Sequence, residues 1–315
     1  MRLLVTRPMT DRATAAIRDR FEATFRDNTP LTEAEAAQAL GDYDAIIPTL
    51  GDAFAAAAFA DPPRCRILAN FGAGYNHIDV SAATAAGVVV TNTPDVVTDA
   101  TADIAVMLIL MCLRRATEAE AMLRAGRWTG WNPTQLLGGH LTGRTVGIVG
   151  MGRIGQAIAR RCHFGFGMDV VFFNRSPLTG LDVPARQIPD LDTMLDQADV
   201  AVLAVPGGAG TRHLIGARQL AALGPRGYLV NIARGDVVDE AALSHALNAG
   251  QIAGAGLDVY EREPLVPHAL LDAPNATLLP HLGTATDDTR TAMGLRALEN
   301  LIAFAEGRPP RDRVN

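Results

Sequence analysis

Apolar residues along this chain gather into short runs, separated by stretches in which they recur at helical spacing. RLLVT at 2–6 reads as a first strand, and Ala16, Ile17 and Phe21 mark the buried side of a following helix. DAIIP at 44–48 reads as a second strand. A run at 67–70 ends in FGAG, and another at 88–91 ends in NTP. Strands alternating with helices predict βαβ units and a parallel sheet. At Asp95 the pattern changes. Thr98 and Asp99 are good helix caps, and a continuous Ala- and Leu-rich helix is expected from there to about Ala125. The segment 128–143 (WTGWNPTQLLGGHLTG) has no clear period. A second alternation follows, TVGIVG, DVVFF, DVAVLAVP, GYLVNIARG, GAGLDVY and ATLLPHLG, and predicts one larger open α/β sheet. Residues 287–306 return to a helical pattern.

At 315 residues, and roughly 150 per domain, the chain is expected to form about two domains. Hydrophobic residues at 48% and charged residues at 20% supply a core and exclude disorder. The net charge of −6 opposes nucleic-acid or anionic-membrane binding, so neither partner is expected. Every basic side chain except the histidines is Arg. A Lys Schiff base, a Walker-type Lys and a Lys general base are therefore excluded. Cys65, Cys112 and Cys162 lie far apart, without the spacing of a metal knuckle or disulfide framework, as suits a reducing cytosol. The N-terminal residues turn charged too soon for a secretory signal. The longest aliphatic run, 104–113, falls short of the roughly 20 residues that cross a bilayer. A cytoplasmic location is expected.

The strongest local motif is TVGIVGMGRIGQAIARR at 145–161. A strand ends at Gly150, and Gly150-x-Gly152-Arg153-Ile154-Gly155 opens an amphipathic helix. Such glycines make the turn, admit a pyrophosphate to the backbone and let helix pack on strand, while the helix N-terminus faces the phosphates. A dinucleotide site follows. In NAD sites an acidic residue some 20 positions on holds the ribose 2′-OH. Here the second strand ends in Asn174-Arg175-Ser176, with no carboxylate at its tip. Those donors suit a 2′-phosphate, with Arg175 forming a charge-assisted fork. NADPH is the preferred cofactor and NADH the alternative; a solvated loop Arg is the plain reading of Arg175.

Among the seven histidines (His77, His140, His163, His213, His245, His268 and His281), none lies in an HExxH motif or near a Cys pair, so no metal is expected. His281 differs from the others: it follows the strand TLLP and precedes Gly283, at the C-terminal edge of a parallel sheet where ligands bind. Arg234 ends the strand LVNIA, and Glu263 follows GLDVY. Complementary polar groups at three strand ends form an active-site constellation; a structural salt-bridge cluster is the alternative.

Taken together, these segments resemble the D-isomer-specific 2-hydroxyacid dehydrogenases, and within them the glyoxylate/hydroxypyruvate reductase branch. The matching motifs are NFGAGYNHID (70–79), TADIAVMLIL (101–110), GIVGMGRIGQ (147–156), NIARGDVVDE (231–240), GLDVYEREP (256–264) and LLPHLGTAT (278–286). They stand in family order from about residue 45 to 286. The resemblance implies two Rossmann-like, doubly wound α/β domains. One is a flavodoxin-like substrate-binding domain (1–98 and 286–315), the other an NAD(P)-binding domain (99–285), with hinges near Thr98 and Ala285 and closure that excludes water.

It further implies that Arg234 grips the carboxylate of a small 2-oxo acid, aided by backbone N–H groups at Ala73 and Gly74. His281 would protonate the carbonyl oxygen as hydride reaches C2, and Glu263 would fix its tautomer and stabilise the imidazolium. Thr101, Val205, Pro206, Thr211, Ile232, Ala233, Asp258, His281 and Gly283 match positions lining the cofactor. For Asp258, a strand-end residue hydrogen-bonded to backbone is the competing reading. Leu50 matches a position beside the substrate's C3 end, with core packing as the alternative. Asn76 and His77 would shape the pocket. Gln135 stands where some hydroxypyruvate reductases carry a Trp that reaches the neighbouring subunit, and the regulatory domains of many phosphoglycerate dehydrogenases are not expected. The apolar 100–143 segment predicts a homodimer. A non-catalytic nucleotide-sensing scaffold, as in related corepressors, and a dehydrogenase for another 2-hydroxy acid are the competing functions.

Overall fold

The computed structural model describes all residues, 1–315. They form two compact units, one of 1–97 with 284–315 and the other of 98–283.

The first unit contains β1 (Arg2–Val5), β2 (Glu22–Phe25), β3 (Ala45–Ile47), β4 (Ile67–Ala69) and β5 (Val89–Thr91). All pair in parallel, in the order β2-β1-β3-β4-β5, the doubly wound flavodoxin-like arrangement. Side chains alternate across each strand. Leu3, Val5, Ile47, Ile67 and Ala69 therefore pack with Ala297 and Leu301 of the helix Asp287–Ala305 on one face. Leu4, Ile46, Leu68 and Val90 pack with Leu40 and Phe54 on the other. The helix Glu33–Asp42 starts at a reciprocal cap: Thr32 Oγ1 accepts Glu35 N–H at 3.3 Å, and Glu35 Oε2 accepts Thr32 N–H at 2.8 Å.

The second unit contains β6 (Thr145–Val149), β7 (Asp169–Phe173), β8 (Arg186–Gln187), β9 (Val200–Leu203), β10 (Tyr228–Asn231), β11 (Gly254–Leu257) and β12 (Ala276–Leu278). The order is β12-β11-β10-β9-β6-β7-β8, again all parallel. One face packs Val146, Ile148, Val170, Phe172, Val200, Val202 and Val230 against Leu108, Ile109 and Leu113 of the helix Thr98–Leu113. The order reverses beside β6, so the C-terminal ends of β6 and β9 open on the crevice where such sheets hold ligands.

Two parallel α/β sheets were expected and are found. Three local features differ. β2 and β8 escape sequence reading because both are short edge strands: β2 alternates exposed with half-buried residues, and β8 has two residues. The helix expected to run unbroken to Ala125 stops at Leu113 and resumes over Ala116–Arg124. At the break, Arg115 adopts a left-handed φ of 52°. Gly139 N–H takes Leu113 O at 2.8 Å, a carbonyl that an uninterrupted helix gives to the residue four positions on.

Candidate active site

The three motif glycines divide the work of the β6 turn. Gly150 turns the chain at φ 99°, and a Cβ there would stand 2.8 Å from both Ala204 O and Val205 Cγ1. A Cβ on Gly155 would stand 2.2 Å from Gly150 O, so this glycine lets the helix close onto the strand. Gly152 has nothing within 4 Å of a Cβ position. It caps the helix Arg153–Arg160 without a side-chain acceptor, leaving the first-turn N–H groups for an anion. These features fit a dinucleotide pyrophosphate.

At the end of β7, Asn174 does a job that its sequence position did not disclose. Its Oδ1 accepts Met151 N–H at 2.8 Å and so ties β7 to the glycine turn. Arg175 and Ser176 are exposed, and the guanidinium of Arg175 has no acceptor within the chain. After β9, Val205 lines the glycine turn and Pro206 is exposed. Thr211 Oγ1 donates to Pro206 O at 2.8 Å and gives that loop a defined shape.

β10 delivers Arg234 through a turn clamped by Asn231, a buried side chain with both ends occupied. Its Oδ1 accepts Ala233 N–H at 3.0 Å and its Nδ2 donates to Arg234 O at 2.9 Å. Ile232 and Ala233 are buried beneath the turn. Arg234 Nη1 donates to Ala233 O at 2.6 Å, whereas its Nε is buried with no acceptor. Burial pushes the guanidinium's pKa down, against the opposing charges of Glu263 and Asp236. A partly desolvated guanidinium with an unfilled donor suits a carboxylate ligand.

The next residue brings the segments together. A Cβ on Gly235 would lie 1.8 Å from the carbonyl carbon of Tyr260, so only glycine lets this turn touch the chain leading to Glu263. Glu263 Oε1 accepts Tyr260 N–H at 3.1 Å, and Oε2 lies 2.8 Å from His281 Nδ1. Burial pushes the Glu263 carboxyl up, but the His281 hydrogen bond and charge, the Tyr260 N–H and Arg234 outweigh it, and its pKa falls below the ordinary value. An ionised carboxylate can only accept, so His281 Nδ1 carries the hydrogen and Nε2 is the nitrogen left for exchange.

His281 sits at a left-handed φ of 54°. Asp258, 1% exposed, holds it there: His281 N–H donates to Asp258 O at 2.9 Å, Leu282 N–H to Oδ1 at 2.6 Å and Gly283 N–H to Oδ2 at 2.8 Å. Three consecutive donors on one residue offset the strain of that conformation. Each Asp258 oxygen accepts one backbone N–H, so the carboxylate anchors the strand end and keeps a second lone pair on each oxygen. Thr101 is buried beside Gly283, its Oγ1 3.6 Å from where a Gly283 Cβ would be. Tyr260 Oη donates to Leu279 O at 2.9 Å, linking the Glu263 segment to the strand that leads to His281. Sequence reading missed Asn231 and Tyr260; an Asn at a strand end is the one signal that pointed to the former.

In the first unit, the loop after β4 turns its carbonyls inward. Asn70 Nδ2 donates to Gly72 O at 3.0 Å and Gly74 O at 3.1 Å, and Asn92 Nδ2 donates to Ala73 O at 2.8 Å. No acceptor within the chain takes the N–H groups of Ala73 or Gly74. Asn76 and His77 follow in the same loop, Asn76 exposed and His77 half-buried. Leu50 is 41% exposed, which excludes the core-packing alternative for it.

Residues 106–283 match the family model described as D-isomer specific 2-hydroxyacid dehydrogenase, NAD binding domain. The chain belongs to this family. The dehydrogenase is 42% identical over 321 aligned positions to a glyoxylate reductase of Thermococcus onnurineus, with 100% of this chain and 96% of the relative covered. Among solved structures it is similar to an NADPH-dependent glyoxylate/hydroxypyruvate reductase from Sinorhizobium meliloti in complex with NADP and malonate. That similarity is 42% identity, with 99% and 96% of the two chains covered and a TM-score of 0.88. A glyoxylate reductase from Paecilomyes thermophila is 36% identical, with 99% and 97% covered and the same TM-score, 0.88. The resemblance noted from the motifs is thereby borne out, and the dehydrogenase is an NAD(P)-dependent oxidoreductase.

Proposed function

We propose that this dehydrogenase reduces glyoxylate and hydroxypyruvate to the corresponding 2-hydroxy acids, with NADPH as the preferred cofactor and His281 as the proton donor. The observation that carries the reading is the buried, unfilled Nε of Arg234 beside an ionised Glu263 that holds His281. A planar fork for a carboxylate next to a positioned acid is what a 2-oxo acid requires.

The glycine turn at Gly150, Gly152 and Gly155 would hold the pyrophosphate, with Arg153 and Ile154 in the first turn of its helix. Asn174, Arg175 and Ser176 would meet the 2′-phosphate, and Thr101, Val205, Pro206, Thr211, Ile232, Ala233 and Gly283 would line the remainder. Asp258 would act there through the backbone it holds. When bound, the reduced nicotinamide supplies a hydride to the substrate's C2. Arg234 orients the carboxylate and the 2-oxo group. His281 gives its Nε2 proton to the oxygen as the carbonyl becomes an alkoxide, so one hydride and one proton are consumed per hydroxy acid formed. Glu263 stabilises the imidazolium until that transfer.

Under this reading 98–283 is the dinucleotide-binding unit, and 1–97 with 284–315 is the substrate-binding unit. Ala73 and Gly74 N–H offer donors to the carboxylate, and Leu50 meets the C3 end. We place the enzyme in the cytoplasm as a homodimer; the support is three free, buried cysteines, which suit a reducing compartment, together with exposed Trp128, Trp131 and Leu137.

The test is a panel of small 2-oxo acids assayed with NADPH and with NADH by nicotinamide absorbance. Turnover of glyoxylate and hydroxypyruvate, faster with NADPH, is expected. Turnover of neither acid with either cofactor would overturn the reading and favour a nucleotide-sensing scaffold.

A further inference from the structure

The C-terminal residues of the chain lie along the free edge of β5. Thr91 and Arg313 form an antiparallel bridge, Val314 N–H donates to Val90 O at 2.9 Å, and Val90 N–H donates to Asn315 Oδ1 at 2.9 Å. An edge strand is covered in this way, but the segment also reaches further. Asp312 has a side chain only 5% exposed. Its carboxylate accepts Arg296 Nε at 2.6 Å and Nη2 at 2.9 Å, a two-point pair, and Asn300 Nδ2 at 3.0 Å. Its backbone is committed too: Asp312 N–H donates to Asn300 Oδ1 at 3.2 Å, and Asp312 O accepts Asn92 N–H at 3.2 Å.

Asn92 passes this anchoring on, because its Nδ2 donates to Ala73 O at 2.8 Å. The peptide group is planar and trans, so a carbonyl and the following N–H point in opposite directions. Holding Gly72 O inward, as Asn70 Nδ2 and Thr93 N–H do, turns the Ala73 N–H outward. Holding Ala73 O inward, as Asn92 does, turns the Gly74 N–H outward. The two donors therefore depend on different asparagines, and the second is tied through Asp312 to Arg296 on the long terminal helix.

We propose that Asn92 is a positioning residue that aims the Gly74 N–H at the carboxylate of the oxo acid, and that Asp312 holds Asn92 for this task. The C-terminal segment thereby sets the enzyme's affinity for its substrate without touching it. This rests on the reading that Ala73 and Gly74 bind the carboxylate.

The test compares the wild-type enzyme with Asn92→Ala and with the milder Asp312→Asn. Glyoxylate is the substrate, and glycolaldehyde, which keeps the aldehyde but lacks the carboxylate, is the control. Losing the Asn92 hydrogen bond to the loop should raise the KM for glyoxylate about tenfold in Asn92→Ala, and weakening the Arg296 pair that holds the Asp312 backbone should raise it about threefold in Asp312→Asn. The kcat should stay within about twofold, the pattern of lost uniform binding. NADPH affinity by fluorescence titration and the kcat/KM for glycolaldehyde should not change. A purely structural role would lower all of these together, and that outcome overturns the proposal, as does an unchanged KM in Asp312→Asn. Wild-type enzyme that uses glycolaldehyde as efficiently as glyoxylate would instead show that the carboxylate reading itself is wrong.

Discussion

Glu263 Oε2 and His281 Nδ1 stand 2.8 Å apart, and the carboxylate is held in its ionised form by the imidazole, the Tyr260 N–H and Arg234. The pair fixes which nitrogen of His281 carries its hydrogen inward. It also supplies the negative charge that the imidazolium needs while it waits to give up a proton.

Glu263→Gln keeps the size of the side chain and removes its charge. The imidazolium then loses its counter-charge, and kcat for glyoxylate should fall by about a hundredfold, the scale of a positioned general acid. A kcat like the wild type's would refute the role given to Glu263.

The same carboxylate links stability to pH. Its folded pKa lies below the ordinary value, so its contribution is complete above the unfolded-state pKa of about 4.3 and is lost as pH falls through the folded value. Urea midpoints measured from about pH 6 down to pH 3 should fall less steeply in Glu263→Gln than in the wild type. Parallel slopes would show that the native state does not favour the ionised form.

Arg175 is exposed, with no acceptor in the chain, at the tip of β7. Arg175→Ala should raise the KM for NADPH about tenfold or more and leave that for NADH nearly unchanged, since a charge-assisted phosphate contact is lost from only one cofactor. Equal effects on both cofactors would remove the argument for a 2′-phosphate.

At Gly235 any side chain meets the Tyr260 backbone. Gly235→Ala should cost about 3 kcal/mol in urea unfolding, at the upper end for overpacking. It should also lower kcat, because the chain leading to Glu263 must move. Wild-type stability in this variant would mean that the two segments are not in contact.

How much of this was legible in the sequence follows from the physics of each signal. Central strands such as β6 and β9 are buried on both faces and read as apolar runs, so they were visible, and so was the glycine turn that follows β6. β2 and β8 are edge strands without an apolar run and left no such mark. Arg234, Glu263 and His281 could be picked out because each follows a strand and carries chemistry there. The supports around them could not. Asn174 on Met151 N–H, Asp258 on Leu282 and Gly283, and Asn92 on Ala73 O depend on contacts between residues up to 25 positions apart, which spacing alone does not encode. The break at Arg115 was hidden for the same reason, since Gly139 arrives from outside the helix.

Proton transfer from His281 is the central chemical step. NADPH consumption in the presence of saturating glyoxylate should be followed for the wild-type enzyme and for His281→Ala, after fluorescence titration has shown that both bind NADPH. The predicted result is equal cofactor binding with kcat lowered by at least about a hundredfold in the variant. Undiminished turnover in His281→Ala would contradict the account.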